Sequence, residues 1–181
     1  MRRKLTWQSG FTLIEMMITV AVVAVVLGFA VPSFQDFFDK NRVKRAAEEV
    51  YGLMAKARSE AVTRDSDMIV TINSGAWCVG YTDGAVACDC TVTDPDTANA
   101  CSVPVAGTNV LQVVDGSGFN GVTMSQETFG GALTYNRVRG TAGNGTVQFT
   151  SGAWSLDVRG SVKGRVRICA AASKTMGYEG C

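Results

Sequence analysis

Four groups of residues in this 181-residue chain carry recognisable chemistry. The first is Lys163-Gly164-Arg165-Val166-Arg167-Ile168-Cys169. In an extended segment Lys163, Arg165 and Arg167 share one face, and Val166 and Ile168 share the other. Three cations then lie in a row over an apolar anchor. Arginine suits phosphate because its planar fork donates two parallel hydrogen bonds. Arg137, Arg139, Arg159 and Lys174 would widen the patch if the fold gathers them, and Gly164 would allow a bulge or a close backbone approach. The second group is six cysteines: Cys78, Cys88, Cys90, Cys101, Cys169 and Cys181. The third is Glu15, the one charge in the apolar run Phe11–Val31. The fourth is a set of acids around a polar loop: Asp83, Asp89, Asp94 and Asp96.

The chain has no histidine. That excludes Ser-His-Asp and Cys-His catalysis, His-containing zinc sites and haem held by a proximal His. A membrane-anchored enzyme would need a carboxylate, Ser-Lys or Cys site, and only scattered acids are present. These acids more simply keep a loop solvated, and they lack EF-hand spacing. No catalytic residue, cofactor or metal is therefore expected. The formal charge of +1 hides a segregation. Asp65–Asn136 holds eight acids and no Lys or Arg, whereas Arg137–Cys181 has a net charge of +5. Such an asymmetry fits a partner bearing phosphates or carboxylates, or two halves of one domain that neutralise each other.

The elements that must position these groups begin with Phe11–Val31. As a helix it spans about 31 Å, enough for a bilayer core. Arg2, Arg3 and Lys4 precede it, which predicts a cytoplasmic N-terminus and an exported remainder. No A-x-A pattern follows, so the segment is expected to stay in the mature protein. Pro32 predicts a bend or a short break. An acid within a membrane segment is costly, so Glu15 calls for a function.

Gly10-Phe11-Thr12-Leu13-Ile14-Glu15 resembles the prepilin cleavage signature of type IV pilins and type II secretion pseudopilins. The resemblance implies cleavage between Gly10 and Phe11 by a prepilin peptidase and methylation of the new amine on Phe11. Glu15 would pair with the terminal amine of a neighbouring subunit during assembly. Loss of the leader removes three cations and leaves a formal charge of −2 before the termini are counted.

Ser33–Arg64 has helical periodicity. Val43, Ala46, Ala47, Val50, Leu53, Met54, Ala57 and Ala61 recur at three- and four-residue spacings, and most charges lie off that stripe. Leu53–Arg64 resembles the end of this helix in the GspH/FimT/FimU family of minor pilins and pseudopilins. Asp65–Cys181 reads as short strands and turns. Candidate strands are Met68–Asn73, Ala76–Thr82, Leu111–Val114, Val122–Met124, Leu133–Tyr135, Thr146–Thr150, Ala153–Val158 and Gly164–Ala170. Hairpins are expected at Ser74-Gly75 and Ser151-Gly152, and Cys88–Gly107 reads as a polar loop.

The expected architecture is α+β and pilin-like: a long N-terminal α-helix, transmembrane then amphipathic, packed on an antiparallel β-sheet domain. Its divisions are a leader (1–10), an assembly helix (11–32), an amphipathic helix (33–64) and a β-rich domain (65–181). In an exported domain the cysteines read as disulfides. Cys169 and Cys181 bracket a C-terminal loop. Cys78, Cys88, Cys90 and Cys101 allow three pairings, of which Cys88 with Cys90 is disfavoured as a bridge across one residue. Zinc on these four thiolates is the rival, against which stand the spacing and an oxidising compartment.

Gly164-Arg165-Val166-Arg167 followed by a cysteine resembles the C-terminal GRxR element of FimT-like minor pilins, which is associated with DNA binding in pili used for transformation. Lys163, Arg165, Arg167, Arg137 and Arg139 are the residues this implicates, with double-stranded DNA as ligand. Protection of an edge strand and pairing with a neighbouring subunit's acids remain open beside it. The expected partners are other major and minor pilins, the inner membrane and the prepilin peptidase. The expected place is the bacterial inner membrane, with the C-terminal domain in the periplasm, and then the pilus. A minor pseudopilin of type II secretion, without DNA binding, is the alternative.

Overall fold

The computed structural model describes residues 10–125, 128–171 and 176–181; the side chains of 29–33 lie outside the described set. The leader up to Ser9, and Lys174, are thus outside it. The chain divides into two compact units, Met1–Phe37 and Phe38–Cys181. One helix, α1, runs Leu13–Thr63.

In the first unit, Thr12 caps α1. Its hydroxyl accepts from the Glu15 backbone N–H at 3.3 Å. Thr12-Leu13-Ile14-Glu15 has the T-x-x-E spacing of a capping box, and Glu15 sits in the first turn, where the helix dipole favours an acid. The break expected at Pro32 is absent: α1 is continuous there. A proline deprives one helical carbonyl of its donor, and the turns on either side carry the helix across. Among the described residues no helix is long and apolar enough to cross a membrane.

In the second unit, α1 buries Val43, Ala46, Ala47, Val50, Met54, Ala57 and Ala61 completely. Four of these are alanines, so the helix backbone approaches the sheets closely, while Val43, Val50 and Met54 each contribute about 1.5–3 kcal/mol of burial. The strands are β1 (Met68–Asn73), β2 (Cys78–Thr82), β3 (Ser102–Val105), β4 (Thr108–Leu111), β5 (Val113–Asp115), β6 (Thr123–Ser125), β7 (Ala132–Tyr135), β8 (Gly145–Ser151), β9 (Trp154–Gly160) and β10 (Val166–Ala170). They form two four-stranded sheets, ordered β5-β2-β1-β7 and β10-β9-β8-β6, and a β3–β4 ribbon. All strand pairs are antiparallel. The alternation in β1 sends Met68, Val70 and Ile72 inward, and β8 does the same with Val147, Phe149 and Ser151. One core joins α1 to both sheets.

Three expectations are corrected here. The strand expected from Ala76 starts at Cys78, because Trp77 adopts a left-handed backbone (φ 50°) and belongs to the turn. Its indole donates to the Val122 carbonyl at 2.9 Å and stacks on Phe119, tying one sheet to the other. Leu111–Val114 is not one strand, because Gln112 breaks it. The Gln112 backbone bonds Cys101 and Tyr81, and its buried side chain accepts from Lys56 Nζ at 2.7 Å and from the Tyr81 hydroxyl at 3.1 Å. Burial raises the Tyr81 pKa, and the charge of nearby Glu60 adds to it. Finally, the polar loop from Cys88 ends early, at β3.

The disulfides are Cys78–Cys90, Cys88–Cys101 and Cys169–Cys181. The first two interleave within one buried cluster. Oxidised sulfurs offer no thiolate, which removes the zinc alternative at these four positions. The same holds for the Asp157, Cys169 and Cys181 group, whose ligand atoms lie within 4.8 Å of one another.

Candidate functional site

The outer face of the β8–β9–β10 sheet carries the cations. Register places Thr146 opposite Arg159, and Arg159 opposite Arg167. Like charges directly opposite on a sheet are destabilising. Asp157 offsets one of them: its carboxylate, 5% exposed, pairs with Arg159 Nη2 at 3.0 Å and accepts from Gln148 Nε2 at 2.9 Å. Arg165 and Arg167 make no ion pair with any described residue.

These side chains surround a cleft of about 670 Å³, with Arg159, Arg165 and Arg167 on its wall and Thr128, Asn144, Thr146 and Ser161 beside them. Its floor includes Gly145 and Gly160, which face each other across the strands. A Cβ at either glycine would meet the Phe129 ring at 2.3 or 2.9 Å, so Phe129 packs where side chains would otherwise stand. Three guanidinium groups beside hydroxyl and amide groups form a site for an oxyanion.

Lys163 does not share the strand face that the extended reading gave it. β10 starts at Val166, and Lys163 lies in the turn between β9 and β10. The turn closes because the Gly164 N–H donates to the Ser161 carbonyl at 2.7 Å. Gly164 has φ 72°, and a Cβ there would sit 1.7 Å from the Gly140 carbonyl oxygen. The Asn136–Gly140 loop carries Arg137 and Arg139, both exposed, and it packs backbone to backbone on this turn. Arg58 of α1 fastens the two segments: Nε donates to the Gly140 carbonyl at 3.1 Å and Nη2 to the Lys163 carbonyl at 3.4 Å. The structure thus gathers Arg159, Arg165 and Arg167 in the cleft and puts Arg137, Arg139 and Lys163 on adjoining loops.

The C-terminal tail returns along the far end of β10, where Ala170 N–H donates to the Glu179 carbonyl at 2.8 Å. The Tyr178 hydroxyl donates to Glu48 of α1 at 2.6 Å; burial and that carboxylate raise its pKa.

A chain with this helix, these sheets and this N-terminus has known counterparts. Residues 46–173 match the family model described as type II transport protein GspH. The chain belongs to the GspH family. Residues 8–31 match the prokaryotic N-terminal methylation motif. A fimbrial protein of Pseudomonas aeruginosa is 33% identical over 81 residues, which is 44% of this chain and 52% of the relative. The type IV major pilin PilE1 of Neisseria gonorrhoeae is 35% identical over 82 residues, 45% of this chain and 44% of the relative. The chain spans about half the length of the curated relatives it matches. Among solved structures, the type IV minor pilin FimU of P. aeruginosa aligns with a TM-score of 0.51 at 20% identity, over 77% of this chain and 96% of that one. That likeness shows a shared fold.

Within this GspH-family chain, two residues near the cations escaped the reading of the sequence. Arg58 is one of several charges off the apolar stripe, and nothing in its spacing marks it as the link between two distant loops. Tyr51 stands alone in sequence but lies beside Arg58 and Arg165 in space.

Proposed function

We propose that the chain is a minor pilin of a type IV pilus, which helps prime assembly at the tip and binds DNA phosphates at the arginine cleft. The observation that carries the binding role is the juxtaposition of Arg159, Arg165 and Arg167 around one cleft, where among the described residues only Arg159 has an ion-pair partner, Asp157. Arg137, Arg139 and Lys163 extend the positive surface on the adjoining loops. Phosphate contacts of this kind give sequence-independent, salt-dependent affinity. The role is assembly and binding rather than catalysis.

The same reading assigns the N-terminus. A prepilin peptidase cuts after Gly10, Phe11 is N-methylated, and Glu15 pairs with the amine of a neighbouring pilin subunit. The apolar stretch from Phe11 holds the subunit in the inner membrane, with the C-terminal domain in the periplasm, until it enters the pilus. Mass spectrometry of the assembled protein is expected to find N-methyl-Phe11 at the start; an intact Met1 start would overturn the pilin reading.

The description of the matching family favours a second reading, a minor pseudopilin of a type II secretion machine. Fluorescence polarisation with the full chain in neutral detergent, over a salt series, separates the two. The first reading expects steeply salt-dependent duplex binding. It also expects Arg165→Gln/Arg167→Gln to flatten the salt slope by about 2, because each arginine neutralises about one phosphate. No binding at low salt leaves the pseudopilin reading, with the arginines as contacts between subunits.

A further inference from the structure

We propose that a second cavity, on the helix side of Arg165, receives one unstacked base, so that the chain binds single-stranded nucleic acid more tightly than closed duplex. This rests on the nucleic-acid reading above and names the form of ligand that the site takes.

The cavity measures about 290 Å³ and is lined by Tyr51, Ala55, Arg58, Gly164, Arg165 and Val166. Tyr51, Ala55 and Arg58 stand at i, i+4 and i+7 on α1, hence on one face. Ala55 contributes only a methyl group, which leaves room between the tyrosine ring and the guanidinium. Arg58 uses two of its nitrogens on the carbonyls of Gly140 and Lys163. Those bonds leave from the edge of the guanidinium plane, where its N–H groups lie. Tyrosine rings and arginine planes are the surfaces on which unpaired bases stack. Tyr51 is 38% exposed, an aromatic ring that the core does not fully cover.

Arg165 and Val166 line both this cavity and the arginine cleft. A phosphate in the cleft and a neighbouring base in the cavity would therefore sit on two sides of one side chain. Duplex DNA can supply the phosphate but not the base, because extrusion costs pairing and stacking. A single strand supplies both.

The test is fluorescence polarisation of the full chain in neutral detergent with two labelled probes, a mixed-sequence single strand and a hairpin duplex of equal phosphate count. The single strand is expected to bind about tenfold tighter, within the range of one stacked base. Tyr51→Ala is expected to abolish that difference while the duplex affinity and its salt slope stay unchanged, and Tyr51→Phe is expected to retain it. Equal binding of the two probes by the wild type, or a Tyr51→Ala loss shared by both, overturns the inference and leaves the phosphate-binding reading standing. Failure of the wild type to bind either probe overturns both.

Discussion

Gly164→Ala is expected to lower the unfolding free energy by about 2–4 kcal/mol, from overpacking of about 1–3 kcal/mol and a left-handed backbone penalty of about 1 kcal/mol. The new methyl would lie 1.7 Å from the Gly140 carbonyl oxygen and 3.0 Å from Arg58 Nε. The first obstacle is backbone, so no rotamer change relieves it. Either the β9–β10 turn or the Asn136–Gly140 loop must move, and the two Arg58 bonds that span them go with it. Gly107→Ala is the control: φ is 85° there, but nothing lies within 4 Å. It should cost about 1 kcal/mol, the backbone penalty alone. Thermal unfolding followed by circular dichroism distinguishes them. Equal melting temperatures for the two variants would show that the Gly140–Gly164 contact is not close-packed.

The double substitution Cys169→Ser/Cys181→Ser is expected to cost about 3 kcal/mol, read as a lower urea midpoint. The bridge closes a loop over a sequence separation of 12 and so restrains the unfolded chain. It also has a local consequence. Cys181 Sγ lies 3.6 Å from Asp157 Oδ2, the same oxygen that pairs with Arg159. Without the bridge the tail is held by its bonds to Ala170 and by Tyr178 on Glu48. Asp157 then becomes more hydrated, and its pairing with Arg159 weakens by screening. An unchanged urea midpoint would show that these tail contacts hold the C-terminus without the disulfide.

The arginine cleft shows how far spacing alone can reach. Period-two alternation puts Arg165 and Arg167 on one face of an extended segment, and both line the cleft. The same rule applied to Lys163 fails, since the Ser161–Gly164 hydrogen bond ends the extended conformation before β10 begins. Arg159 is eight residues from Arg167, and only antiparallel pairing of β9 with β10 makes them neighbours. Arg58 and Tyr51 come from the helix, more than a hundred residues earlier, and no local pattern connects them to the strand.

Local patterning thus determined the elements of this protein. The apolar stripe from Val43 to Ala61 specifies one buried helix face, because side chains three and four apart lie on one side of a helix. The alternation in β1 and β8 specifies sheets with one face inward. Residues 8–31 carry the prokaryotic N-terminal methylation motif, which sequence alone shows because the motif is contiguous. The tertiary structure decided what depends on register and on meetings across the chain. It paired Cys78 with Cys90 and Cys88 with Cys101, a choice the spacing left open. It split Leu111–Val114 at Gln112, because one buried amide bonds both the helix and β2. It also set Arg159 against Arg167 and brought Arg58 to the Gly164 turn. Those contacts join residues that are distant in sequence, and only the packed core holds them together.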